Sequence, residues 1–214
     1  MLELFAKGGW ILFPIVGGSI IGVAVFFQRL WAIRPSQVHP PQLFRKLLEL
    51  VRERRWGEAR ILCQQQKSSL SRIVLVALDQ AEVARTATAL KERVQEAGQR
   101  EAFFLERGTG TLGIVASLEP LLGLLGTVLG MITAFQSVET GGVGDPRLVA
   151  GGVWKALLTT AAGLTVAIPM YIAYRLLMRL VDRRLLDLQS DVSLLVETIE
   201  HQRWGASHTE EPPQ

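Results

Sequence analysis

The chain has 214 residues, of which 49% are hydrophobic and 20% are charged, and its mean hydropathy is +0.26. This balance is too apolar for an ordinary soluble domain of the same length and too charged for a chain that lies wholly within a membrane. We therefore expect apolar, membrane-spanning segments to alternate with charged, aqueous ones.

The first apolar segment, residues 8–28, carries no charge over 21 residues and lies between Lys7 and Arg29. At about 1.5 Å of helix rise per residue, this length can cross a hydrocarbon core of about 30 Å. Trp10 and Trp31 stand near its two ends, where tryptophan commonly anchors a helix at the membrane surface. The segment predicts an uncleaved transmembrane helix, because it is too long for a signal peptide and no small-residue cleavage pattern follows it.

The next segment, residues 34–107, has the composition of an aqueous helical insert. It contains 14 Lys or Arg residues, whereas the short Gly-rich connection at residues 139–150 contains one. Positive residues near the ends of membrane helices favour the cytoplasmic side. We therefore expect the N-terminus to be periplasmic, and the insert and the C-terminus to be cytoplasmic.

Apolar residues at helical spacing predict three helices in this insert. The first starts at Pro40 and Pro41 and stops at Gly57, and the second covers residues 70–83. The third starts at Thr86 and meets no strong helix breaker, so we expect it to continue as one long helix into the next apolar segment. Basic residues alternate with acidic ones in the first helix, which favours a solvated surface over a nucleic-acid site.

The second apolar segment, residues 108–138, combines length with an unusual glycine content. After Glu119, no charge follows for 19 residues. Three glycines recur on one helical face: Gly123, Gly126 and Gly130. In a lipid bilayer, helices associate through close backbone contact at small residues. The pattern predicts a membrane helix that packs closely against other helices.

The third apolar segment, residues 151–180, contains 19 uncharged residues after Lys155. A small-residue face recurs at helical spacing and comprises Ala156, Thr160, Gly163 and Ala167. Pro169 frees a backbone carbonyl and can kink the helix. Lys155 lies near the outer edge, where its ammonium group can extend to the lipid headgroups.

Two readings are open for the hydroxyls of Thr127 and Thr160. Most threonines in membrane helices bond a carbonyl one turn back in their own helix. Alternatively, antiparallel neighbouring helices would bring both threonines into one narrow polar strip. Because threonine does not titrate in the useful range, a proton path through this strip would need a carboxylate from another chain.

No combination of residues indicates an enzyme, a metal or a cofactor site. Residues 108–113, GTGTLG, match the GxGxxG dinucleotide fingerprint, but that motif works between a strand and a helix and here it enters a membrane span. Cys63 has no second cysteine to pair with, and the three histidines are scattered in polar segments. We expect Cys63 to be a small buried residue.

Residues 120–132, PLLGLLGTVLGMI, and residues 156–169, ALLTTAAGLTVAIP, together resemble the ExbB/TolQ branch of the MotA/TolQ/ExbB proton channel family. The likeness extends to an N-out first helix, to the GEARILC element at residues 57–63 and to a helical tail. A flagellar stator subunit of the same family is normally longer and has four spans, so that branch fits less well.

The resemblance implies a homo-oligomeric ring of five subunits in the bacterial inner membrane. The ring would surround a one-span ExbD/TolR-like partner, which supplies a titrating aspartate, and would drive a TonB- or TolA-like transducer. The family's pore threonines correspond to Thr127 and Thr160, and Lys155 stands where many relatives have a glutamate. Glu119, about 12 Å of helix rise from Thr127, is a candidate for the cytoplasmic exit or for a salt bridge between subunits.

The sequence thus predicts an all-α integral membrane protein with three transmembrane helices and long helical cytoplasmic extensions. The predicted divisions are residues 1–33, 34–107, 108–138, 139–150, 151–180 and 181–214, with a disordered end at 205–214. A passive membrane scaffold without ion transport is the main alternative function. A solute transporter fits less well, since three spans contain no inverted repeat.

Overall fold

The computed structural model of the chain describes residues 10–141 and 146–205. All regular structure in these two ranges is helical, as predicted. The helices are α1 (Leu12–Ala32), α2 (Pro35–Val38), α3 (Pro41–Arg52), α4 (Trp56–Gln65), α5 (Ser69–Val83), α6 (Ala87–Glu106), α7 (Thr109–Gly141) and α8 (Pro146–Trp204). Three stretches, which contain α1, α7 and α8, are long and apolar enough to cross a membrane. The prediction of an all-α protein with three spans is confirmed.

Some predicted features lie wholly or partly outside the described residues. These are the periplasmic N-terminus before residue 10, the centre of the Gly-rich connection at residues 142–145, and the disordered end after Gly205.

The described chain divides into two units. The membrane unit comprises Met1–Arg29 and Gly108–Met178, and the aqueous unit comprises Leu30–Arg107 and Arg179–Gln214. Helix α8 therefore contributes its first part to the membrane unit and its remainder to the aqueous unit.

Within the membrane unit, α1 packs through its first turns against the other two spans. Ile11, Leu12 and Ile15 are buried and contact partly buried apolar side chains of α7 and α8. Other large apolar side chains of the three helices are exposed, including Phe13 on α1 and Leu124 on α7. An apolar exposed surface is what a membrane-spanning helix requires, because its outer face contacts lipid tails.

The aqueous unit follows the rules of a soluble helical domain. Leu47, Leu70, Leu90 and Ile199 are fully buried and come from four different helices. Side-chain caps fix two helix starts: the Ser68 hydroxyl accepts a hydrogen bond from the Ser71 amide before α5, and the Thr86 hydroxyl accepts one from the Ala89 amide before α6. The second predicted helix, over residues 70–83, is confirmed as α5.

The predicted stop of the first insert helix at Gly57 is wrong. Helix α3 ends at Arg52, and Gly57 lies inside the first turn of α4. The turn between them closes with two hydrogen bonds, from the Arg55 amide to the Leu50 carbonyl and from the Arg54 amide to the Val51 carbonyl. Arg54 adopts a φ of 58° in this turn, a left-handed position that usually holds glycine. Because an arginine holds this position, the sequence carried no glycine signal for the end of α3.

The expectation of one uninterrupted helix from Thr86 into the second span is also wrong. Helix α6 ends at Glu106, and Gly108 adopts a φ of +87° before α7 begins. A Cβ at Gly108 would lie 2.8 Å from Cζ of Arg29, so the Arg29 guanidinium packs directly on this glycine, and the positive φ favours glycine here. The helix is therefore interrupted where the charged insert meets the apolar span.

An ion pair between the exposed Arg72 and the buried Glu101 joins α5 to α6 in the aqueous unit. The Arg72 guanidinium donates to both carboxylate oxygens of Glu101, from Nε at 2.6 Å and from Nη2 at 2.5 Å. Glu101 is only 6% exposed, so its carboxylate depends on this partner for its hydrogen bonds. The two-pronged geometry fixes the register of the two helices.

We predict that Glu101→Gln destabilises the protein by about 1.5 to 3 kcal/mol, since the buried group loses charge-assisted hydrogen bonds. Denaturant unfolding of the full chain in detergent, followed by circular dichroism, measures this loss. Glu92→Gln is the matched control, because Glu92 is exposed on the same helix. Equal losses in both variants would contradict a specific role for the pair.

The only cysteine, Cys63, is buried in the aqueous unit, as predicted. Burial and the nearby Asp79 carboxylate raise the pKa of its thiol to about 12. Since the thiolate is the reactive form, we predict that Cys63 resists alkylation at neutral pH until the protein unfolds. A Gln64→Cys, Cys63→Ala variant places the thiol on the exposed neighbour and should react at once. Comparable alkylation rates for the two folded proteins would contradict the prediction.

Candidate functional site

The closest helix contact in the membrane unit lies between α7 and α8, along a glycine seam formed by Gly123, Gly126, Gly130, Gly152 and Gly163. A Cβ at Gly123 would lie 3.0 Å from the Thr160 Cα, and a Cβ at Gly130 would lie 2.8 Å from the Ala156 Cβ. At Gly163, an added Cβ would lie 2.5 Å from the Glu119 carbonyl oxygen. The absence of side chains therefore lets the two backbones approach each other closely.

Thr159 fills the seam at its centre. It is 2% exposed, and its hydroxyl donates to the Ala156 carbonyl of its own helix at 2.7 Å. Its side chain occupies the space that a Cβ at Gly126 would need. Thr159 was not among the predicted site residues, although its spacing from Ala156 and Gly163 places it on the same helical face.

Thr160 makes a hydrogen bond across the seam. Its hydroxyl donates to the backbone carbonyl of Gly123 at 2.9 Å. That carbonyl belongs to the opposite helix, and it can be reached because Gly123 has no side chain in the way. Thr160 therefore bonds between helices rather than within its own helix, and its side chain is partly exposed.

Thr127 bonds within its own helix. Its hydroxyl donates to the Leu124 carbonyl at 2.7 Å, and its side chain is half-buried. Thr127 and Thr160 each donate to a backbone carbonyl, so the two hydroxyls do not donate to each other. Both threonines nevertheless lie near the same part of the contact between α7 and α8. Thr160 bonds the Gly123 carbonyl, and Gly123 and Gly126 precede Thr127 by about one helical turn or less.

Glu119 lies where all three membrane helices meet. It is 2% exposed. Its Oε1 contacts α1 at Gly18, and its backbone carbonyl contacts α8 at Gly163. Its Oε2 is buried and has no hydrogen-bond partner among the described residues.

The remaining predicted positions lie on the outer surface of the membrane unit. Lys155 is exposed near the start of α8, and Pro169 is exposed within the same helix, which continues without interruption on both sides of it. The part of the chain that the structure describes contains no cluster of His, Cys, Asp or Glu side chains able to hold a metal ion.

The sequence model of the MotA/TolQ/ExbB proton channel family matches residues 65–190. The chain belongs to this family. The matched range contains all of α7 and most of α8, and therefore the whole glycine seam with Thr127 and Thr160. The family is one of membrane channels rather than of enzymes.

Two named relatives and one solved structure resemble the chain over most of its length. The biopolymer transport protein ExbB-like 1 of Synechocystis is 30% identical over 222 aligned positions, which cover 99% of this chain and 84% of that protein. ExbB-like 3 of the same organism is 32% identical over 163 positions, 75% of this chain and 77% of that protein. A chain of the C. jejuni MotAB structure superposes with a TM-score of 0.59 at 15% identity and covers 99% of this chain and 88% of that one, which shows a shared fold.

We predict that Gly126→Ala weakens the seam by about 1 to 3 kcal/mol, because the new methyl group overlaps the Thr159 side chain. The loss of thermal stability in detergent measures the effect. Gly110→Ala is the matched control, since a Cβ there meets nothing within 4 Å.

A second variant distinguishes this overlap from a general effect of the substitution. Adding Thr159→Gly to Gly126→Ala removes the overlapping atoms, so the double variant should be more stable than the sum of the two single losses predicts. Simple additivity of the two losses would show that the two positions do not share space.

Proposed function

We propose that the chain is a subunit of an ExbB/TolQ-type proton-channel motor in the bacterial inner membrane. In this proposal, the motor couples the proton motive force to a TonB- or TolA-like transducer, for example for import across the outer membrane. Family membership supports the channel function, and the names of the relatives, which are biopolymer transport proteins, support the coupling to transport.

The observation that carries the proposal is the hydrogen bond from Thr160 to the Gly123 carbonyl. In a hydrocarbon environment, a hydroxyl and a carbonyl held together between two helices form a polar point in an otherwise apolar wall. Thr127 supplies a second hydroxyl less than two turns farther along α7. We infer that these groups line the path and hydrate and orient a proton as it passes.

The path also requires a group that binds and releases the proton. Threonine does not titrate at physiological pH, so a partner chain must load the proton from the outer side. The solved neighbour is a MotAB assembly, and by its name that assembly contains two kinds of protein. We infer that this chain works as a homo-oligomer around a one-span ExbD/TolR-like subunit, whose membrane aspartate carries the proton. The resemblance to the family implies that the homo-oligomer is a pentamer.

In the inferred orientation, the N-terminus is periplasmic and the aqueous unit is cytoplasmic. The second span then runs from the cytoplasm to the periplasm, and the third span runs back to the cytoplasm. Lys155 lies at the periplasmic end of the path. Each proton that crosses releases about 2.3 kcal/mol per 100 mV of membrane potential. A few protons therefore provide enough free energy for movement of the partner relative to the ring.

We predict that liposomes containing the chain and its one-span partner take up protons under an imposed potential. Replacing the partner's membrane aspartate by asparagine should abolish this uptake, because the proton then has no carrier. Replacing the proton gradient by a sodium gradient tests which of the two ions the complex conducts. An assembled complex that conducts neither ion would favour the passive scaffold.

We predict that Thr160→Val preserves assembly and abolishes proton flux, since it keeps the shape of the side chain and removes the hydroxyl. Thr160→Ser keeps the hydroxyl and should retain flux. Thr165→Val is the matched control, because Thr165 is exposed and bonds only the Ala161 carbonyl of its own helix. Normal flux through the Thr160→Val protein would remove Thr160 from the path.

A further inference from the structure

Glu119 is a buried acidic side chain close to the middle of the membrane. It contacts Gly18, which has 10 uncharged residues on either side within the segment 8–28. Its backbone also meets Gly163, which lies two residues from the centre of the uncharged segment 156–174. Two independent helices thus place Glu119 at mid-depth, and this depth favours an internal site over a cytoplasmic exit.

No cation faces this carboxyl group in the described part of the chain. The segments of α1 and α8 that pack against it are uncharged from residue 8 to residue 28 and from residue 156 to residue 174. The nearest charges along the chain are Arg107, two residues before α7 begins, and Glu139, near the end of α7. Another titratable side chain in this region is Tyr174, whose ring packs on Gly113. Gly113 lies about 9 Å of helix rise from Glu119.

An ionised carboxylate in such a place is costly. Taking one charge out of water without a partner costs several kcal/mol, and in membranes such groups mark ion or proton pathways. The closed packing seen here therefore suits the neutral acid, whereas the carboxylate form needs water or a cation to reach it. Any route for water must pass one of the helices that cover the group.

Helix α1 contacts the Glu119 carboxyl group at Gly18 and contacts Met170 of α8 at Gly22. A Cβ at Gly18 would overlap the Glu119 carboxyl group, and a Cβ at Gly22 would lie 2.7 Å from the sulfur of Met170. By contrast, a Cβ at the neighbouring Gly17 would meet nothing within 4 Å. The absence of a side chain at Gly18 therefore lets α1 lie directly against the acid.

We propose that Glu119 is a proton-binding site within this chain, and that α1 closes over it when the proton is bound. This inference rests on the proposed channel function and adds a titrating group to a path that otherwise relies on the partner. The Glu119 carboxylate takes the proton from a hydronium ion or from the partner's carboxylic acid, forming one O–H bond as the donor's O–H bond breaks. Release to water on the cytoplasmic side restores the carboxylate, and no electrons are transferred.

The site lies close to the threonines. Glu119 precedes Gly123 by four residues, about 6 Å of helix rise, and the Gly123 carbonyl is the atom that Thr160 binds. A proton that reaches Glu119 from the outer side therefore passes the Thr160 hydroxyl about one helical turn before it arrives.

The first measurement detects the proton itself and does not depend on flux. The infrared band of a protonated carboxyl group is recorded for the assembled complex at neutral pH, and the spectrum of Glu119→Gln is subtracted. We expect a band in the wild type that is absent from the variant. Glu139→Gln, a substitution at an exposed position of the same helix, is the control for assignment, and its spectrum should keep the band. A wild type without the band would overturn the proposal.

The second measurement tests the relay. We expect Glu119→Gln to reduce proton flux at least tenfold and Glu119→Asp to restore part of it, because aspartate keeps a titrating group. Gly18→Ala should also reduce flux, whereas Gly17→Ala should not. If Glu119→Gln conducts normally while Thr160→Val does not, the relay is wrong and the proposed channel stands. If the wild-type complex conducts nothing, the proposed function fails, and the infrared band alone decides whether Glu119 binds a proton.

Discussion

Close contact between α7 and α8 at the glycine seam is the constraint on which the membrane unit depends. In lipid, apolar side chains gain nothing by leaving the solvent, so helices associate through van der Waals contact and hydrogen bonds. Glycines supply both here, because they remove the side chains between the backbones and leave a carbonyl within reach. The bond from Thr160 to Gly123 exists only because the helices approach this closely.

The aqueous unit is held together by different means. Leucines such as Leu47 and Leu70 are buried from water, side-chain caps fix the starts of α5 and α6, and an ion pair joins these two helices. Gly57 and Gly98 of this unit do not bring helices together as the seam glycines do, because both have open space around them. A single chain thus uses hydrophobic burial in one unit and small-residue contact in the other.

The sequence predicted what depends on periodicity and missed what depends on three-dimensional contacts. The glycine face of α7 and the three spans follow from spacing and charge alone. The turn after α3 could not be predicted, because Arg54 occupies the left-handed position at which a glycine usually marks such a turn. Thr159 was overlooked because its role requires knowing that it faces Gly126 across the seam. The depth of Glu119 was also hidden, since it depends on contacts with two other helices.

The contacts of α1 bear on how such a subunit works. A helix that served only to anchor the chain could present large apolar side chains on every face, because lipid accepts them. Instead, α1 places Gly18 against a carboxyl group and Gly22 against a thioether, whereas a Cβ at Gly17 would meet no atom within 4 Å. Removing a side chain from a helix costs packing and helix propensity, so it is useful where another group must fit. The group that fits at Gly18 is acidic, and its Oε2 has no hydrogen-bond partner among the described residues, so the first span helps to enclose a buried carboxyl group and is more than an anchor.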